Sequence, residues 1–338
     1  MNSTRAYQNK SDQTMYLLSG DYRTLLSFAV PKMGLSRVKL RLSLHLAYYF
    51  SNNEITEQQQ NLVSRLNTMM GDRITSFMLH AIDKNQTRWQ GVFESDDQLY
   101  GVKVFQNHED AYHEYAQTKI VEQHFTGPFI VPSIVNCQEG FLISRFVSRE
   151  RHCMAEDGVL DRLIYHTKQA VENCTAFKIP VDIVPLNYPG LFLKLENSDL
   201  IRRVKKWLSS HPDQIPMIPI HGDMTPWNIF VDTHEKLVLT SFERAGWHVP
   251  FYDVFHFHLQ PQALLSRQPA PLSKLLNDNM PWGEYKWLKS ALMLYLIDQL
   301  CCDLSDFHDK QYNDIWLSRM IRNKEAWLEE VLDSEDHI

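Results

Sequence analysis

The sequence predicts an α+β chain of two lobes, a small antiparallel sheet lobe followed by a larger helical lobe, and three observations carry that expectation. Short alternating apolar runs crowd into residues 74–147, stripes at helical spacing dominate after residue 148, and one hairpin-like pair of apolar runs interrupts the helical half at 228–240. With 338 residues, 44% of them hydrophobic, the chain can bury a large core, and its length fits one two-lobed domain or two domains.

Residues 1–75 form an N-terminal extension of unclear role. Tyr16-Leu17-Leu18 and Leu25 to Val30 are short apolar runs, broken by Gly20-Asp21 and Pro31. From Val38 to Phe50 apolar residues alternate with Lys39, Arg41, Ser43 and His45, which predicts a half-buried strand. Its basic side allows contact with an anionic membrane surface, a solvated strand face being the simpler account. Asn61 to Met70 then reads as a short amphipathic helix.

Residues 76–147 make up the sheet lobe. Ile74 to His80, Trp89 to Glu94 and Gln98 to Phe105 read as strands joined by the turns Asp83 to Gln86 and Ser95 to Asp97. Glu109 to His124 reads as a helix, and Phe129 to Val135 with Phe141 to Val147 closes the small antiparallel sheet. Residues 148–338 make up the helical lobe, with helical stripes at Leu160 to Cys174, Asp199 to Leu208, Tyr285 to Cys302 and Tyr312 to Val331. Between them, Asn228 to Val231 and Leu237 to Thr240 flank the turn Asp232 to Lys236.

The charge of −7 gives no general attraction to phosphate backbones and argues against nucleic acid as a partner. Five scattered cysteines without C-x-x-C spacing read as thiols in a reducing compartment. No apolar stretch approaches the length of a membrane span, and the N-terminus has no apolar core of a signal segment, so a cytoplasmic location is expected.

The chemistry concentrates in one loop, His221-Gly222-Asp223-Met224-Thr225-Pro226-Trp227-Asn228. An Asp five residues ahead of an Asn, on a loop that feeds a strand, sets a carboxylate to accept a hydroxyl proton and an amide oxygen to hold a metal, as phosphoryl transfer requires. The next metal ligand in such a site is an Asp just past the hairpin, and Ser241 stands there. In the third strand Lys103 shares a face with Leu99, Gly101 and Phe105, and Glu114 follows it by eleven residues on a helix. His256 and His258, with His248 nearby, lack a clear third ligand and read as packed or hydrogen-bonded histidines rather than a metal site.

Val102-Lys103-Val104, Glu114, the His221 to Asn228 loop, Phe242-Glu243 and Tyr252-Asp253-Val254 come in the order seen in the protein-kinase-like small-molecule kinases. Over residues 76 to 256 the chain resembles the aminoglycoside phosphotransferase and choline kinase family. That resemblance implies a protein-kinase-like two-lobed fold, with ATP and Mg²⁺ as cofactors. It implies Asp223 as the catalytic carboxylate, Lys103 and Glu114 as the nucleotide-binding pair, Asn228 as a metal ligand, and His221 and Asp253 as structural support for the loop. The departure is Ser241, a neutral hydroxyl where a carboxylate belongs. Two readings stay open. Glu243, two residues on and on the same face if the segment is extended, replaces the lost metal ligand, or the chain is a pseudokinase binding module without phosphotransfer. The first reading gives an ATP-dependent phosphotransferase acting on a hydroxyl of a small molecule, a saccharide or an amino-alcohol. Trp207, Trp227, Trp247, Trp282 and Trp287 are candidates for stacking on a sugar ring, and Asp303, Asp306 and Asp309 for an acidic patch facing a cationic acceptor.

Overall fold

The computed structural model describes residues 4–8, 15–20, 55–71, 73–82, 87–154, 157–173, 178–180, 198–210, 214–276, 280–310 and 315–334. The alternating segment Val38 to Phe50 and the apolar run Leu25 to Val30 lie outside the described residues. In chain order come strands β1 (Arg5–Gln8) and β2 (Met15–Ser19), helix α1 (Glu57–Met69), strands β3 (Ile74–Ala81), β4 (Trp89–Ser95) and β5 (Gln98–Val104), and helix α2 (His108–His124). Strands β6 (Phe129–Ile130), β7 (Ile134–Gln138), β8 (Phe141–Arg145) and β9 (Arg151–His152) precede helix α3 (Val159–Asn173), strand β10 (Lys178–Pro180) and helix α4 (Ser198–Ser210). Then follow strands β11 (Gln214–Pro216), β12 (Ile218–Ile220), β13 (Ile229–Val231), β14 (Leu237–Leu239) and β15 (Gly246–His248). Helices α5 (Tyr252–Leu265), α6 (Leu272–Leu276), α7 (Leu288–Lys310) and α8 (Ile315–Asp333) complete the order. The chain divides into two compact units, Met1–Cys153 with Ile229–Glu243, and Met154–Asn228 with Arg244–Ile338.

The first unit is built on a seven-stranded sheet in the order β1-β2-β3-β4-β5-β8-β7, with every pair antiparallel. Two tight hairpins set its register. Asp96 and Asp97 both take positive φ between β4 and β5, and Glu139 and Gly140 do so between β7 and β8, the turn geometry that matches strand twist. The apolar run at Tyr16 to Leu18 is strand β2, which pairs with β3 through Leu17 opposite Leu79. One sheet face buries Leu17, Leu79, Phe93, Phe141 and Ile143, and α1 adds Leu62, Val63 and Leu66 to the same core. Helix α1 begins at Glu57, ahead of the start its apolar stripe suggests, because Thr56 and Gln59 close a reciprocal capping box at its N-terminus.

The segment Phe129 to Val135, read as one strand of that sheet, is two. Pro132 cannot donate to a ladder, and the chain breaks there. Residues Phe129–Ile130 instead pair in parallel with β14, in a second sheet ordered β6-β14-β13-β9. The β13–β14 hairpin thus belongs to the first unit, closed at its tip by the Asp232 carboxylate, which accepts from the backbone N–H of His234 and Lys236 at 2.8 Å each.

The second unit is helical, with short strand pairs β10–β11 and β12–β15. Helix α5 is the longest of the described elements that the sequence reading missed. It buries Tyr252, Val254, Phe255, Leu259 and Ala263 on several sides, so it has no polar face to reveal a period, and Pro261 interrupts the pattern. Helices α7 and α8 pack Tyr295, Leu296, Trp327 and Leu328 into the core. They also bury an ion pair, Lys324 Nζ to Asp303 Oδ2 at 2.8 Å, so Asp303 is a core residue and not part of an exposed acidic patch. The side chains of Asp306 and Asp309 lie outside those described.

Candidate active site

The chemistry-bearing residues fall into two clusters, one in each unit. In the first, strand β5 and helix α2 bring Lys103 and Glu114 together. Lys103 Nζ donates to Glu114 Oε1 and to Glu243 Oε1, both at 2.6 Å. Glu114 is buried, and its second oxygen, Oε2, has no hydrogen-bond partner. Burial pushes the Glu114 carboxyl above its ordinary value despite the Lys103 charge. For Glu243, burial acts in the same direction, but Lys103 outweighs it and holds the carboxyl below the ordinary range. Burial would lower the lysine, yet the Glu114 and Glu243 charges carry it above its ordinary value. Two carboxylates thus share one ammonium, each bonded to it at 2.6 Å.

The lysine lines a cavity of about 190 Å³, wholly within this unit. Val92, Val102, Leu142 and Phe146 supply apolar walls, and Gln90, Ser144, Arg149, Thr240 and Ser241 supply polar groups. Ser241 does not continue an extended segment. Strand β14 ends at Leu239, and Ser241 takes φ of 69°, in the left-handed region that an L side chain rarely adopts. The same-face relation between Ser241 and Glu243 therefore does not apply, and Glu243 is oriented onto Lys103.

In the second unit the loop after β12 carries Asp223, and its geometry is closed by hydrogen bonds. Asn228 Nδ2 donates to Asp223 Oδ2 at 2.8 Å and to the Asp223 carbonyl at 2.9 Å. Asp223 Oδ1 lies 3.0 Å from His256 Nε2 on α5, and the Tyr295 hydroxyl stands 3.4 Å from His256 Nδ1. Two residues brace the loop backbone. Asp253 accepts from the N–H of His221 at 2.7 Å and of Gly222 at 2.9 Å, one to each carboxylate oxygen. His221 Nδ1 in turn accepts from the Asp223 N–H at 3.3 Å. Gly222 sits at φ of 81°, and a Cβ there would fall 2.0 Å from the Arg244 carbonyl oxygen, so only glycine fits.

Burial would raise the Asp223 carboxyl, but the hydrogen bond and charge of His256, with His221 and Arg244, hold it below the usual carboxylate range. Burial also pushes Asp253 up to about 7, against the two backbone donors that pull it down. Burial lowers His256 below an ordinary imidazole, although its bond to Asp223 works the other way. About a third of the Asp223 side chain remains exposed, so a ligand can reach it.

His256, read from the sequence as a packed or hydrogen-bonded histidine, is hydrogen-bonded, and its partner is Asp223. The signal was spacing: His256 follows Asp253 by three residues, one helical turn, so both face the loop from α5. His256 and His258 both lie on this helix. Among the described residues no group of three or more His, Cys, Asp or Glu side chains is arranged to hold a metal.

Neither a scan against protein-family models nor a search of curated proteins finds a match. Solved structures do match. Aminoglycoside phosphotransferase APH(4)-Ia aligns at 13% identity and a TM-score of 0.53, over 81% of this chain and 98% of that one. A thermostable mutant of that protein in a ternary complex with ADP and hygromycin B aligns at 13% identity with a TM-score of 0.52, over 80% and 97%. Choline kinase LicA from Streptococcus pneumoniae, in complex with AMP, aligns at 11% identity and a TM-score of 0.53, over 82% and 100%. The chain therefore has the fold of the aminoglycoside phosphotransferases and choline kinases, as its motifs imply.

Proposed function

We propose that this chain is a phosphotransferase that moves the terminal phosphoryl group of a nucleoside triphosphate onto a hydroxyl of a small molecule. ATP is the donor the resemblance implies, and a saccharide or amino-alcohol is the acceptor. The observation that carries the reading is the Asp223 carboxylate, held by Asn228 and His256 on a loop braced by Asp253. As the acceptor oxygen bonds to phosphorus, its proton passes to Asp223 and the nucleoside diphosphate leaves. A carboxyl held below its ordinary pKa is a weak base, so it takes that proton late, once the attacking oxygen has become acidic. Lys103, oriented by Glu114, supplies the cation for the donor phosphates. Asn228 and Glu243 are the protein oxygens assigned to Mg²⁺, which when bound neutralises charge on the phosphates. Trp227 and Trp247, both exposed in the second unit, favour a ring-bearing acceptor such as a saccharide. The net charge of −7 speaks against nucleic acid, and no described helix is long and apolar enough to cross a membrane.

One observation favours the alternative, a pseudokinase binding module. With Ser241 in place of a carboxylate, Glu243 is bonded to Lys103 and is not free to serve a metal unless it lets go. Calorimetric titration of ATP into the native chain and Glu243→Gln, in Mg²⁺ and in EDTA, tests the two. Binding that needs Mg²⁺ in the native chain and weakens in Glu243→Gln supports the enzyme. Binding indifferent to both Mg²⁺ and Glu243 supports the module.

A further inference from the structure

The cavity of the first unit has two chemically different ends. The β5–β8 ladder sets Lys103 opposite Leu142, whereas the N–H of Phe146, just past β8, donates to the Leu99 carbonyl at 3.1 Å. Leu99 and Lys103 are four residues apart on one strand, which separates the two ends by about 13 Å. At the first end stand Lys103, Glu114 and Glu243. At the second stand Phe146 and a cation, Arg149.

Arg149 lines the cavity, and its guanidinium carbon lies 5.0 Å from the centroid of the Phe230 ring and 6.0 Å from that of Phe146. Its Nε is buried without a hydrogen-bond partner, and among the described residues no carboxylate pairs with the guanidinium. Burial draws its pKa down to about 10. A recessed arginine with a buried, unanswered Nε–H is unfavourable until an acceptor completes it. Phe146 at this end, with Phe230 against the guanidinium, gives an aromatic wall that suits a flat ring and would strip a phosphate of its hydration.

We infer that Arg149 reads the base of the donor nucleotide and makes the cavity prefer guanine to adenine. Guanine offers O6 and N7 as adjacent acceptors to the two-pronged arginine donor, while adenine sets its N6 amino donor against it. The inference rests on the nucleotide-dependent reading above and changes its donor from ATP to GTP.

The test is calorimetric binding of GDP and ADP to the full chain, native, Arg149→Lys and Arg149→Ala, each checked for an unchanged thermal transition. The native chain is expected to bind GDP about 10- to 100-fold more tightly than ADP. Lysine keeps the charge but loses the planar fork, so Arg149→Lys should lose most of that preference, and Arg149→Ala should bind the two alike. Equal or tighter ADP binding by the native chain, or a preference that survives Arg149→Ala, overturns the inference. If the native chain binds neither and Arg149→Ala binds both, Arg149 obstructs the cavity; the inference falls and the nucleotide reading stands. If no form binds either nucleotide, both fall.

Discussion

Lys103 and Asp223 are each held by two partners, yet the two clusters are in opposite condition. Around Asp223 the charge is answered: an amide and an imidazole on the carboxylate, and a second carboxylate, Asp253, on the loop backbone. Around Lys103 one ammonium faces two carboxylates, Glu114 keeps a buried oxygen without a partner, and the nearby Ser241 hydroxyl brings no charge. Glu114 carries the cost, being buried with one oxygen unanswered, whereas the Glu243 side chain is 41% exposed and partly answered by solvent. The loop in the second unit is thus closed without a ligand, and the cluster in the first unit is the place where a ligand changes the balance.

The sharpest way to break this comparison is to disable the closed cluster. Asp223→Asn keeps the shape and removes the base, and transfer to any acceptor hydroxyl should fall by about 10³-fold, with nucleotide affinity unchanged. Steady-state rates beside a binding isotherm measure both. A loss below tenfold would mean that the intact loop does no chemistry, and the chain would be a binding module.

Repairing the open cluster should have the next largest effect. Ser241→Asp supplies a carboxylate at the position where the family resemblance implies a metal ligand, and on the proposed function it should raise the transfer rate by about 10²-fold at saturating Mg²⁺. An unchanged rate would show that Glu243 already supplies the missing oxygen, and then Glu243→Gln in the native background should carry the loss instead.

Much of this contrast was legible in the chain, for physical reasons that differ by element. Strand β5 shows because buried Val102 and Val104 alternate with less buried neighbours, β3 shows as an apolar run buried on both faces, and Asp96 and Asp97 mark the turn between β4 and β5. The Asp223 loop shows because few residue types can brace, shape and charge it. Helix α5 did not show, being buried on several sides, and the role of His256 went with it. The pairing of β14 with Phe129–Ile130, which takes the hairpin into the first unit, joins residues over a hundred positions apart and leaves no local pattern. The bond from Glu243 to Lys103 was hidden by the left-handed turn at Ser241, which no alternation rule anticipates for a serine.

Loss of the loop's brace comes third. Asp253→Ala leaves the buried N–H groups of His221 and Gly222 without acceptors, and it should cost the second unit about 2–3 kcal/mol of stability by urea denaturation. A change under 1 kcal/mol would mean that the loop relaxes to find other acceptors, so that its rigidity owes little to α5.

The smallest expected effect concerns pH and the first unit alone. His80 lines the cavity with Gln90, whose Nε2 lies 2.9 Å from the imidazole Nε2, and burial lowers its pKa to about 4. In the unfolded chain the same imidazole takes up a proton near pH 6.5, where the folded chain resists it. Its contribution to stability is therefore fully present above pH 6.5 and is lost as pH falls towards 4, about 1 kcal/mol of it by pH 5.5. Other groups also titrate in that window, so the informative quantity is a double difference. His80→Gln has no imidazole to titrate and retains a polar partner for Gln90, so its stability should fall less than that of the native chain between pH 7.5 and pH 5.5. Equal losses in the two proteins would mean that the His80 ring is hydrated in solution. The apolar walls that give Arg149 its leverage on a base would then be less dry than the cavity's lining implies.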